Sequence, residues 1–299
     1  MKKLIAVLAL SFTGTLFAQQ EVAKPMLQIK GSDTMVNAVQ VLAEKYMAKN
    51  PGKAVSVTGG GSGTGVAALL NSTCDIANSS RDLKDKEKES AKSKVNEFVI
   101  ANDGISIIVS AKNKVNKLTI EQLGKIYRGE ITNWKEVGGA NTAINMYGRQ
   151  PNSGTYDFVR EFVVKADYAK SVKEMNGNAQ IAEAVKSSNN ASGIGYVGAG
   201  YTKDAKGIKV LKIAKTTKDI AYFPTQINVL KGLYPISRPL YQFVSGDIKE
   251  NVKELILFEL SSEGQKIITE EGFFTINNKQ KETNNVLLGI KKTTLTKRS

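Results

Sequence analysis

The chain alternates short runs of β-branched and other apolar residues with longer stretches in which apolar residues recur at helical spacing. The strand-like runs cover 26–30, 54–58, 98–110, 144–147 and 208–213. A helical pattern follows the first run from Met35 to about Lys49, and Asn50-Pro51-Gly52 ends it. This alternation predicts an α/β fold with a largely parallel sheet.

Two further helical regions carry end signals. Thr119 stands three residues before Gln122, the spacing of a capping box, so a helix is predicted to begin there. Apolar residues at helical spacing over 252–268 predict late helices, and Gly272 is a suitable stop for the last of them.

The N-terminal segment has the pattern of a secretory signal peptide. Lys2 and Lys3 precede an apolar run over 4–10, which is too short to span a membrane as a helix. We expect residues 1–18 to be removed by cleavage after Ala18 and the protein to be periplasmic. Leu16 is larger than such cleavage sites prefer, so retention of the segment as a membrane anchor stays open.

Composition excludes several classes of chemistry. The 299 residues are 41% hydrophobic and 23% charged, which suits one large globular domain or two lobes rather than a disordered chain. There is no histidine, so catalysis by a Ser-His-Asp or Cys-His arrangement and histidine-ligated metals are excluded. Cys74 is the single cysteine, so no intramolecular disulfide or cysteine metal cluster can form. We expect no metal and no cofactor.

The net charge of +14 is compatible with an anionic ligand. The lysines are dispersed, and no segment interleaves basic and aromatic residues as a platform for single-stranded nucleic acid does. We therefore expect no nucleic-acid partner.

Four loops share a small, hydroxyl-rich and glycine-rich composition between a strand pattern and a helix pattern. They lie at 31–34, 59–65, 78–81 and 148–155. Backbone amides at a helix start, serine and threonine hydroxyls, and arginine are the donors that suit a tetrahedral oxyanion. Each loop alone is also explained as a helix N-cap, but four in one chain, two with an arginine, favour a composite anion site.

Two nucleotide-binding motifs are excluded. Gly60 and Gly65 have the spacing of a Walker A motif, but Val66 and Ala67 stand where Lys and Ser or Thr are required. The G-x-G-x-x-G at 193–198 follows a polar stretch rather than a strand, so it is interpreted as a tight strand-turn.

Four longer segments add to the loops: LTIEQLGKIYRGEITNWKEVGG at 118–139, SGIGYVG at 192–198, YPISRPLY at 234–241 and LSSEGQKIITEEGF at 260–273. With all of these in order, nearly the whole mature chain resembles the periplasmic phosphate-binding proteins of ABC-type phosphate uptake, the PstS family. The resemblance implies an α/β, two-lobed periplasmic-binding-protein (Venus-flytrap, type II) fold with two crossover hinge strands. It places lobe 1 at 19–105 and 239–299 and lobe 2 at 106–238, with hinges near 103–105 and 234–240.

The resemblance also implies a phosphate site at the positions that match the family's loops. These are Ser32, Thr34, Ser62, Ser80, Arg81, Arg149, Ser153, Gly154 and Thr155. Two positions depart from the family pattern: Arg81 stands where some members carry an aspartate that accepts the proton of hydrogen phosphate, and Pro151 stands where some carry an aspartate paired with the binding arginine. Whether Asp33 or Asp103 takes one of these roles stays open. Two readings of Arg81 stay open: a second cation on the anion, or an ion pair with Asp82 or Asp33. Arg238 is expected to form a hinge or interdomain ion pair.

The implied function is high-affinity binding of inorganic phosphate and its delivery to the membrane subunits of an ABC permease, by a monomeric receptor that is not an enzyme. One alternative is a receptor for another tetrahedral oxyanion, such as sulfate or molybdate. A secreted phosphatase is the other alternative. It would need a nucleophile with a base, or metals held by clustered carboxylates, and neither pattern occurs in the sequence.

Overall fold

The computed structural model describes residues 26–203 and 206–290, so the predicted signal peptide lies outside the described residues. The described part has twelve strands: β1 Leu27–Gly31, β2 Val55–Thr58, β3 Ile76–Ser79, β4 Val95–Gly104, β5 Ser106–Ser110, β6 Lys117–Thr119, β7 Asn145–Arg149, β8 Lys173–Met175, β9 Gly193–Val197, β10 Ile208–Val210, β11 Lys212–Ala214 and β12 Ser237–Ser245. Of the helices in these residues, none combines the length and apolarity that a membrane crossing requires.

The helices connect these strands, and most of them lie where the sequence predicts. They are α1 Val36–Lys49, α2 Ser62–Leu70, α3 Asp85–Ser90, α4 Ile120–Tyr127, α5 Gly154–Val159, α6 Asn178–Lys186, α7 Gln226–Leu230, α8 Glu250–Leu260, α9 Ser262–Glu270 and α10 Asn278–Leu287. The capping box at Thr119 is confirmed, because its hydroxyl accepts from the Gln122 amide at 3.1 Å. Gly272 follows α9 with a φ of +80°, as a helix-terminating glycine should.

Two five-stranded sheets form the framework of two lobes. The first has the order β2-β1-β3-β12-β4, in which β1, β2 and β3 are parallel and β12 runs against both of its neighbours. The second has the order β10-β5-β9-β7-β8, with β7, β8 and β9 parallel. Each sheet is therefore mixed rather than largely parallel, because the strand by which the chain enters each lobe from the other, β5 or β12, runs against both of its neighbours.

The chain passes between the sheets where the sequence predicts one continuous strand over 98–110. The structure breaks that segment at Ile105, so that β4 belongs to the first sheet and β5 to the second. The return crossing precedes β12, and the two crossings touch: the Ile105 amide donates to the Ile236 carbonyl at 2.9 Å. The apolar pattern alone does not place the break, although Asn102-Asp103-Gly104 interrupts it and the family resemblance put a hinge near 103–105.

Each lobe has a separate hydrophobic core. The first packs α1, α8 and α9 on one face of its sheet through residues such as Leu42, Ile76 and Leu255. The second is centred on Tyr127, Trp134 and Tyr196 beside β5 and β9. The second core also includes Phe274, which follows β12 in the chain, so the two lobes pack against each other beside the crossing strands.

The G-x-G-x-x-G segment is a strand that leads into a turn, as the sequence predicts. Residues Gly193–Val197 form β9 at the centre of the second sheet, and a 3-10 turn over Ala199–Thr202 follows. The glycines serve packing here: a side chain at Gly195 would overlap Ile181, and one at Gly193 would overlap Ser188.

A carboxyl group is buried in the first lobe. Glu259, near the end of α8, is fully buried, and its Oε1 accepts from Gln242 Nε2 at 3.1 Å on the central strand β12. Burial raises the pKa of Glu259 to about 8. The side chain is therefore neutral in the folded protein at neutral pH, whereas in the unfolded chain it ionises near its ordinary value.

Because the folded-state pKa is the higher one, the unfolded chain binds fewer protons between the two values. Stability is then greatest below the ordinary value of 4.5 and falls as the pH rises toward about 8, by about 1.4 kcal/mol per pH unit. We predict that Glu259→Gln removes this slope from the free energy of unfolding, measured in urea across that range. Glu270→Gln, at an exposed position of α9, is the control and should keep the slope. An unchanged slope in Glu259→Gln would contradict the prediction.

Candidate anion-binding site

Six hydroxyl groups meet between the two lobes. Ser32 and Thr34 follow β1, Ser62 begins α2, Ser80 follows β3, and Ser153 and Thr155 stand where β7 leads into α5. All six residues are at most 2% exposed. Because the predicted loops follow strands that end at the same edge of each sheet, chain segments far apart in sequence converge here.

The hydroxyls lie within contact distance of one another. Thr34 Oγ1 lies 3.0 Å from Thr155 Oγ1 across the two lobes, and within the first lobe Ser62 Oγ lies 3.3 Å from Ser80 Oγ. Gly154 lies directly against the second pair: a Cβ there would overlap Ser62 Oγ and lie 2.8 Å from Ser80 Oγ. Only glycine allows α5 to approach the first lobe this closely.

Arg149 brings a positive charge into this cluster at 1% exposure. Its Nη2 donates to Asp33 Oδ2 at 2.7 Å, and its Nε donates to Gln150 Oε1 at 3.0 Å. Its Nη1 has no partner among the described residues, and neither has the buried Ser32 Oγ. Burial lowers the pKa of Arg149, although Asp33 opposes that shift. The site therefore holds a desolvated cation with a free donor.

Arg238 is a second buried guanidinium, which the sequence assigned only to an ion pair. The ion pair is confirmed: Nη2 lies 2.9 Å from Asp103 Oδ2 and Nε lies 3.2 Å from the same oxygen. The same Nη2 also lies 2.9 Å from Thr155 Oγ1, so Arg238 reaches the hydroxyl cluster. Burial lowers its pKa as well. The one sequence feature that pointed to a role for Arg238 near the cleft was its position before Pro239 in the second crossing.

Asp33 and Asp103 each hold one of these arginines. Asp33 pairs with Arg149 across the lobes and accepts the Gly60 amide at 2.7 Å. Asp103 is fully buried, pairs with Arg238 and accepts the Ala199 amide at 2.9 Å. The role of arginine partner, which the sequence left open between these two aspartates, is thus divided between them.

Arg81, a candidate ligand contact, forms ion pairs with carboxylates instead of joining the hydroxyl cluster. Its Nη1 and Nη2 donate to the two Glu87 carboxylate oxygens at 2.7 Å each, and Nε lies 3.0 Å from Asp157 Oδ2. Of the two readings left open, the ion pair is what the contacts show, with Glu87 and Asp157 in place of Asp82 or Asp33. Burial alone would lower the pKa of Arg81, but these two carboxylates raise it.

Ser153 combines two roles. Its hydroxyl accepts from the amides of Thr155 at 3.2 Å and Tyr156 at 3.4 Å, so it caps α5 as the N-cap reading expected. It still lies in the loop that carries Arg149 and Gly154. In the part of the chain that the structure describes, no group of three or more acidic or cysteine side chains is arranged to hold a metal ion.

The chain is similar in sequence to known proteins. A model of the PBP superfamily domain matches residues 18–263. The phosphate-binding protein PstS of Borreliella burgdorferi is 31% identical over 92% of this chain and 99% of its own length. PstS of Pseudomonas aeruginosa is 28% identical over 82% of this chain and 81% of its own length.

Solved structures extend the likeness to the fold. A putative phosphate ABC transporter substrate-binding protein with bound phosphate from Clostridium perfringens has a TM-score of 0.77 at 30% identity, over 85% of this chain and 100% of the other. An ABC-type phosphate transport receptor from Vibrio cholerae has a TM-score of 0.70 at 32% identity, over 84% and 100%. These matches confirm the predicted two-lobed fold class, and the chain belongs to the PstS phosphate-binding protein family of the PBP superfamily.

Proposed function

We propose that this protein binds inorganic phosphate between its lobes and delivers it to the membrane subunits of an ABC-type permease. The observation that carries the proposal is the pair of buried donors without a protein partner, Arg149 Nη1 and Ser32 Oγ, in a cluster of hydroxyls. Buried donors of this kind are stable only if a ligand or water accepts from them. The PstS relatives and the phosphate-bound structural neighbour favour phosphate as that acceptor.

The proposed phosphate contacts come from both lobes. Ser32, Thr34, Ser62 and Ser80 supply hydroxyls from the first lobe, and Arg149, Ser153, Gly154 and Thr155 surround the anion from the second. Neutral hydroxyls are suited to this task because they can donate to phosphate oxygens or accept from a protonated one. Arg238 orients Thr155 and adds positive charge behind it, while Asp33 and Asp103 keep the two guanidinium groups in place.

The proposed lobes are 19–105 with 239–299, and 106–238. Closure of one on the other brings Asp33 to Arg149 and Thr34 to Thr155, contacts that an opened cleft would lose. The segments near 103–105 and 234–240 are the proposed hinge, because the two crossings meet there and are hydrogen-bonded to each other.

The absence of chemistry is also part of the proposal. A phosphatase would need a general base beside a nucleophile, and Asp33 and Asp103 are each bound by an arginine rather than by a site hydroxyl. We propose a monomeric, non-enzymatic receptor outside the cytoplasm, with no nucleic-acid partner. Hydroxyls can donate to sulfate as well as to phosphate, so strong discrimination against sulfate requires one of the aspartates, already bound by arginine, to accept the phosphate proton as well.

The first test is calorimetric titration of ligand-stripped protein with phosphate and with sulfate. We expect one phosphate per chain, weaker or undetectable sulfate binding, and a phosphate-dependent rise in melting temperature, because a ligand held only by the folded state stabilises it. An aryl phosphate should not be hydrolysed. A melting temperature that phosphate leaves unchanged would refute the binding, and equal affinity for sulfate would favour a less selective oxyanion receptor.

The second prediction concerns the buried cation. Arg149→Ala should weaken phosphate binding roughly 30-fold to several thousand-fold, the equivalent of about 2 to 5 kcal/mol for loss of one member of a buried charged pair. Arg149→Lys should recover only part, since an ammonium group cannot keep the planar fork that reaches Asp33 and the anion together. Arg160→Ala, in the same lobe but 37% exposed, is the matched control. Equal affinities for the Arg149 and Arg160 variants would exclude Arg149 from the site.

The third prediction tests closure. Gly154→Ala places a methyl group against the hydroxyls of Ser62 and Ser80, so the lobes should be held apart. We expect X-ray scattering to show a smaller radius of gyration for wild type with phosphate than without it, and little change for the variant, with phosphate affinity at least about tenfold weaker. Gly177→Ala, whose Cβ would lie in open space, should behave as wild type. Normal compaction of the Gly154 variant would contradict the proposed closure.

A further inference from the structure

A second set of charges joins the lobes beside the hydroxyl cluster. Asp157 of α5 lies 3.0 Å from Arg81 Nε and 2.6 Å from Lys84 Nζ, both through its Oδ2. The side chains of Arg81 and Asp157 are only 7% and 6% exposed, whereas that of Lys84 is 44% exposed. Solvent and salt therefore screen the Arg81–Asp157 contact only weakly.

Glu87 holds Arg81 from its own lobe. The two oxygens of Glu87 accept from both Nη atoms of Arg81, and Glu87 also accepts the Lys84 amide at 2.9 Å, which fixes the start of α3. Of the ion pairs in this set, Arg81–Glu87 lies within the first lobe, and only the two with Asp157 reach the second lobe. When the lobes separate, Arg81 keeps its fork on Glu87, and only the bonds to Asp157 break.

Asp157 is also placed to couple this set to the anion. It stands three residues after Gly154, so the two share one face of α5, and that face is the one turned toward the first lobe. Movement of Asp157 toward Arg81 therefore moves Gly154 and Thr155 toward Ser62, Ser80 and Thr34. The set has two positive charges, on Arg81 and Lys84, and two negative charges, on Glu87 and Asp157. Its net charge is therefore zero, and it needs no anionic ligand to balance it.

We propose that Asp157, Arg81 and Lys84 form a latch that holds the lobes closed over the bound anion, with Asp157 as a positioning residue that does not contact the ligand. This rests on the proposed phosphate function and deepens it. The latch contributes to affinity by stabilising the closed state, so its loss acts mainly on the dissociation rate.

The negative charge of Asp157 allows the latch to be distinguished from simple electrostatic repulsion between Asp157 and the bound anion. Replacing an aspartate near an anion site with a neutral residue removes a repulsive charge, and Coulomb's law then predicts tighter phosphate binding. Loss of a latch predicts the opposite sign. The isosteric change Asp157→Asn therefore distinguishes the two explanations by direction rather than by size.

The experiment measures phosphate affinity by calorimetry and the release of radiolabelled phosphate after dilution into unlabelled phosphate. For Asp157→Asn we expect release roughly 5- to 50-fold faster and affinity weaker by a similar factor, with the association rate nearly unchanged. Asp157→Glu keeps the charge and should recover part of the loss. Asp167→Asn, an exposed aspartate of the same lobe, should release phosphate at the wild-type rate.

The ligand-free melting temperature of each variant serves as the folding control, since an open protein does not use the latch. If Asp157→Asn does not fold, Lys84→Gln, at the exposed end of the set, is measured in its place. Faster release of phosphate by this variant supports the latch. Slower association of phosphate with an unchanged release rate overturns it. Unchanged or tighter binding by folded Asp157→Asn also overturns it. Failure of the wild-type protein to bind phosphate would refute the proposed function itself, a result distinct from either.

Discussion

The buried guanidinium groups of Arg149 and Arg238 are the constraint on which the rest of the site depends. Both side chains are 1% exposed, and a charge removed from water in this way is tolerated only when paired and hydrogen-bonded. Asp33 and Asp103 supply that pairing. Because Asp33 and Arg149 belong to different lobes, the pair exists only when those lobes are together, so the cost of burying Arg149 is tied to closure.

Away from the cleft, each lobe is stabilised mainly by contacts within itself. Each has its own hydrophobic core, and the chain crosses between them by two segments that meet at Ile105 and Ile236. Hydroxyl contacts and ion pairs, such as Thr34–Thr155 and Asp33–Arg149, join the lobes at the cleft. Such an interface can be rehydrated when the lobes part, which makes opening far less costly than exposing a core.

The different roles of the buried arginines follow from how many of their N–H donors already have acceptors within the protein. Arg149 retains an unpaired Nη1 in the hydroxyl cluster, whereas both Nη atoms of Arg81 are occupied by Glu87. A donor with no acceptor is a place for a ligand, and a donor with two good acceptors is a structural element. The same loop composition thus produces an unpaired buried donor at one strand end and a contact between lobes at another.

The sequence by itself determined the parts of this protein that depend on local patterns. The loops after β1, β3 and β7, the capping box at Thr119 and the stop at Gly272 follow from residue types within a few positions of one another. The family resemblance then supplied the two-lobed arrangement, which local patterns do not encode.

Only the tertiary structure decided which side chains meet. One of the two carboxylates that pair with Arg81, Asp157, is 76 residues away in the chain, and Thr155 is 83 residues from its hydrogen-bond partner Arg238. The strand break at Ile105 lies where the family resemblance placed a hinge, whereas the apolar pattern alone predicted one strand over 98–110, because a buried segment fits several environments and the packing around it selects one. Pairing at that distance is set by how the two lobes close, which no short stretch of residues specifies.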